Sequence, residues 1–470
     1  MLFNTLEFWL FFGIVLVLFY SVPFHVGKVV LLVASYYFYM RWDPRFALLI
    51  LASTVLDYIL GIAISTGSPA KKRVLLVVSI VANLTILGFF KYYNFFVSSF
   101  ATLFGLSEQS VVLQIVLPVG ISFYTFKSMS YTIDVYHGWL KPVYRFLDYA
   151  LFVVFFPELV AGPIVRADVF FPQLFHWQKP TDLARQSAIY LIIFGLIKKM
   201  VFADRFALLA DEYFGHLPSH PGAVAAWTGV GAFALQIFFD FSGYTDIARG
   251  CALLLGFKFP LNFARPYLAI NITEFWKRWH MSLSQWLRDY LYIPLGGNRH
   301  GSLLTYRNLM LTMLLGGLWH GASWNFVLWG GYQGVLLLGH RLFSQTVANT
   351  RAAVLLGSRL LAPAKIAVTM FFVLIGWVFF RAVTLHDSTF VLEQMFSTEW
   401  RPADSSFTTG IWVMIGIATA IAICEEFFRV TERLCLAPAW CTIPFYAVCF
   451  FCLELFAVTG TTVPFIYYQF

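Results

Sequence analysis

Long apolar runs, not alternating ones, set the pattern of this chain. Runs near Phe8–Phe24, Phe46–Ile64, Val74–Phe90, Ala188–Ala203, Ala225–Phe241, Leu303–Leu318, Val327–Leu342, Ala367–Phe380, Ile411–Ile423 and Tyr446–Val458 each approach the length of a helical bilayer crossing, about 20 residues. Shorter runs at Val29–Tyr39, Val111–Phe126 and Ala150–Val160 read as short spans or re-entrant segments. The sum is roughly 11–13 full or partial passes. A membrane barrel would need short strands of alternating character, whereas helices satisfy their own backbone hydrogen bonds inside lipid. The pattern therefore predicts an all-α polytopic membrane protein.

Few polar windows interrupt these runs: Ser65–Arg73, His137–Arg145, Gly162–Arg185, Glu212–Gly222, Lys258–Arg307 and Leu385–Ser406. No internal repeat and no soluble domain is evident, so a single membrane domain over residues 1–470 is expected. The fifth window is the richest. Within it, Thr273–Tyr290 keeps a helical period: Phe275, Trp279, Leu283, Trp286, Leu287 and Tyr290 share a stripe, while Glu274, Lys277, Arg278, Gln285 and Arg288 lie largely elsewhere. An aromatic face beside a basic face predicts a helix lying in the cytoplasmic membrane interface. Pro294 and Gly296-Gly297 then break it. The turn Gly296-Gly297-Asn298-Arg299 reads either as a backbone cradle for a phosphate or as an ordinary basic loop.

Composition sharpens the class: 60% of the 470 residues are hydrophobic and 12% are charged, far from a soluble globular domain. The net charge of +8 does not point to nucleic acid, because the basic residues sit in short loops: Lys71-Lys72-Arg73, Lys198-Lys199, Arg278, Arg288, Arg299 and Arg307. An excess of Lys and Arg in such loops places them in the cytoplasm. Met1 to Phe8 lacks a basic leader, and no small-residue cleavage site follows the first apolar run, so the first helix is expected to remain in the mature protein. The cysteines Cys251, Cys424, Cys435, Cys441, Cys449 and Cys452 show no metal-ligand spacing and read as small hydrophobes.

The residue most in need of a reason is His320. It lies in Leu314–Trp329, which contains no acid, lysine or arginine; an ionisable group at a bilayer centre costs roughly 2.5–3.5 kcal/mol on insertion scales and calls for a cavity, a partner or a function. At helical spacing its neighbours are Gly316 and Gly317 on one side, Ser323 and Trp324 on the other. Either His320 is a polar link between helices or it is a proton acceptor. His280, with Lys277 and Ser284 at helical spacing, is expected on the polar side of the interfacial helix, as a surface histidine or at the mouth of the bundle. A buried histidine together with one at the entrance suits acid–base chemistry. Among other intramembrane ionisable residues, Asp240 and Asp246 read as an ion site or, preferably, as an ion-pair network with Arg249; Glu158 is expected to pair with Arg166.

These blocks carry a resemblance: Phe126–Gly138, Phe156–Ile164, Asp240-Phe-Ser-Gly-Tyr-Thr-Asp246, Phe259–Tyr267 running through Glu274-Phe-Trp-Lys-Arg-Trp-His280 to Leu295-Gly-Gly-Asn-Arg299, and Leu318-Trp-His-Gly-Ala-Ser-Trp-Asn-Phe326. Together with Pro464–Phe470 they resemble the membrane-bound O-acyltransferase family, in its alginate O-acetyltransferase-like bacterial branch. The resemblance implies a ring of helices around a funnel, a cytoplasmic acyl-CoA or acyl-carrier donor, and a hydroxyl acceptor reached from the other side. It implies that His320 matches the catalytic histidine and His280 the second site histidine. Acetyl-CoA is the expected donor substrate, with no bound cofactor and no metal. Arg278, Arg288, Arg299 and Asn298 are donor-binding candidates, and Ser323, Trp324 and Asn325 are candidates to orient His320, whose burial should keep it neutral. The resemblance further implies a multi-pass protein of the bacterial inner membrane. Its expected partner is an extracytoplasmic acetyltransferase, and its final acceptor a polysaccharide such as alginate, another exopolysaccharide or peptidoglycan. A related branch transfers D-alanine to teichoic acids, but the Asp240–Asp246 and Glu274–Arg299 blocks look more like the acetyl branch. The competing class is a polytopic polysaccharide or lipid transporter using the intramembrane acids for ion coupling; the paired repeats such folds often carry are not apparent.

Overall fold

The computed structural model describes residues 1–106, 112–159, 162–348, 350, 357–399, 413, 415–417, 419–423, 433–434, 436–458 and 465–466. Among these there is no strand, and helices form two compact units: Met1–Ile192 with Tyr244–Pro260, and Ile193–Gly243 with Leu261–Phe470. The fold is all-α and polytopic. Five helical stretches are long and apolar enough to cross a membrane, at Arg45–Thr66, Pro69–Phe104, Asp182–Gly215, Ala223–Leu254 and Arg359–Arg381, and three shorter apolar helices accompany them.

In the first unit, α1 (Leu6–Ser21) and α2 (Phe24–Met40) form a hairpin around Pro23, which cannot continue the first helix. α3 (Arg45–Thr66) follows Pro44, and α4 (Pro69–Leu87) runs through a π-helical turn at Gly88–Tyr92 into α5 (Tyr93–Phe104). The apolar run expected over Val111–Phe126 is not one helix: residues 112–118 are irregular and α6 (Ile121–His137) begins only after Gly120, whose φ is +73°. The run at Ala150–Val160 is likewise divided, into α7 (Phe146–Val154) and α8 (Phe156–Leu159), before α9 (Ala167–Phe175).

Two buried lysines in this unit are paired with carboxylates. Lys28 meets Asp148 at 2.5 Å, and Lys127 meets Glu158 while also donating to the carbonyl of Phe152. The expected partner of Glu158 was Arg166; Lys127 takes that place because α6 carries its ammonium into the same buried pocket. Asp57 is held by Ser79 at 2.7 Å and Asn83 at 2.8 Å.

The chain passes between the units within α10 (Asp182–Ile197) and α12 (Ala223–Leu254). The second unit holds α11 (Asp204–Gly215), α13 (Ile272–Arg278), α14 (Met281–Leu287), α15 (Ser302–His320), α16 (Trp324–Val347), α17 (Ala362–Arg381), α18 (Leu385–Met395) and α19 (Ala439–Phe456). Within the span expected at Ile411–Ile423, residues 413, 415–417 and 419–423 are helical, and the others lie outside the described residues, as do Cys424 and Cys435; Cys251, Cys441, Cys449 and Cys452 are free thiols. α15 and α16, read from the sequence as spans, are long enough but not apolar enough throughout to count as such by composition. Their polar and small residues, Asn308, Thr312, Gly316, Gly317, Asn325 and Gln333, are buried instead.

Those small residues explain how the two helices pack. A β-carbon on Gly330 would lie 2.4 Å from the Met313 carbonyl, and one on Gly317 would lie 2.3 Å from that of Phe326. Glycine lets the backbones touch, as at close helix crossings in membranes.

Candidate active site

The helix expected across Thr273–Tyr290 is broken at its centre. α13 ends at Arg278, Trp279 turns extended (φ −101°, ψ 130°), and His280 takes a left-handed conformation (φ 40°, ψ 55°) before α14 starts. Such a conformation costs a non-glycine residue about 1–2 kcal/mol, so other contacts must hold it.

Asn262 supplies them. Its side-chain oxygen accepts from the Ser282 N–H (3.1 Å) and the Ser282 hydroxyl (2.9 Å), and lies 3.3 Å from His280 Nδ1, while its carbonyl accepts from the Met281 N–H at 2.9 Å. The Ser282 N–H can only donate, which fixes that atom as oxygen; Nδ1 therefore carries the imidazole proton and Nε2 the lone pair.

The break overturns the expected place of His280. It is fully buried, not on a polar helix face, because the change of backbone at Trp279 turns the ring inward. It meets Phe241 edge-on at 4.7 Å, and Phe263 and Trp319 at 6.3 and 6.0 Å. Burial in this aromatic setting pushes its pKa down to about 3, so the ring is neutral.

His320 is the last residue of α15 and is 4% exposed. Its ring packs edge-on against Trp319, Trp329 and Phe380 at 5.0–5.1 Å. Trp319 thus lies against both histidines. Gly321 is extended (φ −159°), and Ser323 holds the N-cap position of α16; Ser323 and Trp324 therefore do not share a helical face with His320, contrary to the spacing argument. Asn325 donates to the Ala382 carbonyl (2.7 Å) and accepts from Ser388 (3.2 Å). It ties α16 to the residues after α17.

A cavity of about 620 Å³ opens between α13, α14, α15 and α16, and His320 lines it. The inner end is walled by Trp276, Leu283, Leu287, Met313, Gly316 and Trp329, and the other end by Arg288, Tyr292, His340, Arg341, Ser344 and Gln345. The cavity grades from apolar at the imidazole to polar and basic at the far end. Of the residues expected to bind the donor, only Arg288 lines it, and Arg288 is paired with Asp289 at 2.6 Å. Arg278 instead pairs with Glu274 at 2.7 Å, and Asn298 and Arg299 are exposed and outside the cavity lining. The Gly296-Gly297 turn is stapled by Asn308, which donates to the Gly297 carbonyl.

Sequence reasoning missed His340, Arg341 and Gln345. The signal is present: His340-Arg341 interrupts the end of the apolar run Val327–Leu342. Asp246 and Arg249 pair at 3.0 Å as expected, but Asp240 belongs to a different group, with Lys199.

The family model of membrane-bound O-acyltransferases matches residues 141–384, a segment that contains both histidines and the whole cavity lining. The chain belongs to that family and is a membrane O-acyltransferase. It is 42% identical to a protein named "Probable alginate O-acetylase" of Pseudomonas aeruginosa, over 86% of this chain and 74% of that one. It is 39% identical to a peptidoglycan O-acetyltransferase of Helicobacter pylori, over 78% and 73% of the two chains, and 30% identical to a teichoic acid D-alanyltransferase of Bacillus subtilis, over 57% and 69%.

Proposed function

We propose that this protein is an acetyl-CoA-dependent O-acetyltransferase of the bacterial inner membrane, acting as one membrane-embedded domain over residues 1–470. The acetyl group passes from the cytoplasmic donor to a hydroxyl acceptor on the other side, by way of an extracytoplasmic partner acetyltransferase, and ends on a polysaccharide such as alginate or another exopolysaccharide. The similarity to an alginate O-acetylase and to a peptidoglycan O-acetyltransferase supports this substrate class over D-alanyl transfer, where identity is lower and coverage shorter.

One observation carries the catalytic reading: His320 stands at the apolar end of an elongated cavity whose far end is basic. In this reading the acceptor hydroxyl attacks the thioester carbonyl while the His320 imidazole takes the hydroxyl proton. The tetrahedral intermediate then collapses to the ester and a thiolate, which recovers the proton from the imidazolium. A positioned base of this kind contributes ~10²–10⁴-fold. His280, neutral and locked by Asn262, acts through Trp319 as a positioning residue for His320.

The test uses purified protein in nanodiscs with acetyl-labelled CoA, with and without the partner. His320→Ala is expected to bind donor at wild-type affinity and to lose transfer by ~10²-fold or more. Normal transfer by a folded His320→Ala protein would sink the assignment.

A further inference from the structure

The far end of the cavity contains a cation that the rest of the protein leaves unused. Arg341, on α16, is only partly exposed and lines the cavity; its Nε is shielded from solvent without a hydrogen-bond partner, and among the described residues the side chain forms no ion pair. The other arginines nearby are engaged: Arg288 with Asp289, Arg278 with Glu274, and Arg307 with the Asn308 side chain. A shielded guanidinium N–H without an acceptor costs free energy, and an anion at this end of the cavity would complete it.

Resting on the acetyl-thioester reading above, we infer that Arg341 anchors the phosphate that adjoins the pantetheine of the donor and so sets the depth of the thioester against His320. The distances agree. Trp329 packs on the His320 ring, and Arg341 stands twelve residues further along the same helix, roughly 18 Å by the rise of an α-helix. The arm from phosphorus to sulfur reaches roughly 15 Å when extended, by comparison with a peptide of as many backbone bonds. Ser344 and Gln345, one turn beyond Arg341, offer further hydrogen-bonding groups to the phosphate itself, and His340, whose Nδ1 is held 3.0 Å from the Thr273 hydroxyl, lines the same end. Guanidinium is the side chain best shaped to grip a phosphate through two parallel hydrogen bonds.

The experiment compares three donors on the whole protein in nanodiscs: acetyl-CoA, acetyl-phosphopantetheine and acetyl-pantetheine, the last lacking any phosphate. Wild type should prefer the two phosphorylated donors by KM. Arg341→Gln should raise KM for both on the order of 10- to 100-fold, leave kcat nearly unchanged, and leave acetyl-pantetheine untouched; Arg341→Lys should recover part of the loss. Equal weakening of all three donors, or none, would overturn the anchoring role. Wild type alone also tests it, since indifference between acetyl-phosphopantetheine and acetyl-pantetheine would do the same without any variant. Turnover with acetyl-CoA assigns the arm to the free cofactor; turnover only with an acetylated carrier protein assigns it to a protein-borne arm, with the Arg341 discrimination expected in both cases. Wild type that binds and uses no thioester at all would instead remove the donor reading on which this inference stands.

Discussion

At the scale of single residues, His280 shows what a pattern of letters conveys and what it hides. The family resemblance makes it a candidate site residue, but the helical period running through Phe275, Trp279, Leu283 and Trp286 gives no sign of the left-handed backbone that buries it. The determinant, Asn262, lies 18 residues upstream. Asn262→Ala should leave the buried Ser282 N–H without its acceptor, at about 1–3 kcal/mol, and lower kcat in protein that still binds donor; an unchanged kcat would show that the lock is only structural. The buried ring also gives stability a pH dependence. With the folded pKa near 3 and the unfolded one near 6.5, both states are neutral above about pH 6.5 and the group has no effect there. As pH falls through that window the unfolded chain takes the proton first, so stability is lost on acidification. His280→Gln should flatten the fall in thermal midpoint between about pH 6.5 and 5 relative to wild type.

Among the elements, the long apolar helices were legible because their length and composition suffice, whereas the α15–α16 hairpin was only half so. Its position followed from two apolar runs, yet those runs concealed a cavity wall: Thr312, Gly316, His340 and Arg341 face an opening, and hydropathy cannot separate a face toward lipid from one toward a cavity. The segment over Thr273–Tyr290 failed in the opposite way, since periodicity survives a one-residue kink that changes where every later side chain points. Close approach of α15 and α16 gives a paired test. Gly330→Ala would set a β-carbon 2.4 Å from the Met313 carbonyl, while Gly339→Ala on the same helix meets nothing within 4 Å. The first should destabilise by about 1–3 kcal/mol and widen or collapse the cavity, seen as a lower midpoint and weaker donor binding. The second should be neutral or slightly stabilising through helix propensity. Equal behaviour of the two would mean the hairpin does not depend on backbone contact.

For the whole molecule, what sequence could not supply was the pairing of buried charges, because partners lie far apart in the chain and a single sequence offers several for each. Glu158 was visible as an intramembrane acid, but only its burial beside Lys127 shows which cation it meets. In the second unit, Lys199 is fully buried between Asp204 at 2.8 Å and Asp240 at 3.0 Å, and Asp240 also accepts from the Ile466 N–H at 2.8 Å. Phe465, beside it, packs on Phe241, the ring that meets His280 edge-on. One ammonium thus bridges two carboxylates and, through Asp240 and the residues after α19, supports one wall of the His280 site. Removing a single member of a buried ionic group costs about 3–5 kcal/mol because the rest stay charged without a partner, while replacing the group together can be nearly neutral. Lys199→Met should therefore reduce folded protein sharply and raise susceptibility to proteolysis, with transfer lost alongside. Combining it with Asp204→Asn and Asp240→Asn should recover much of the folded yield but not full activity, since the Ile466 amide then meets a neutral acceptor and the Phe465–Phe241 contact loosens. Full recovery of both yield and kcat in the triple variant would show that the charge cluster serves stability alone and that the His280 wall stands without it.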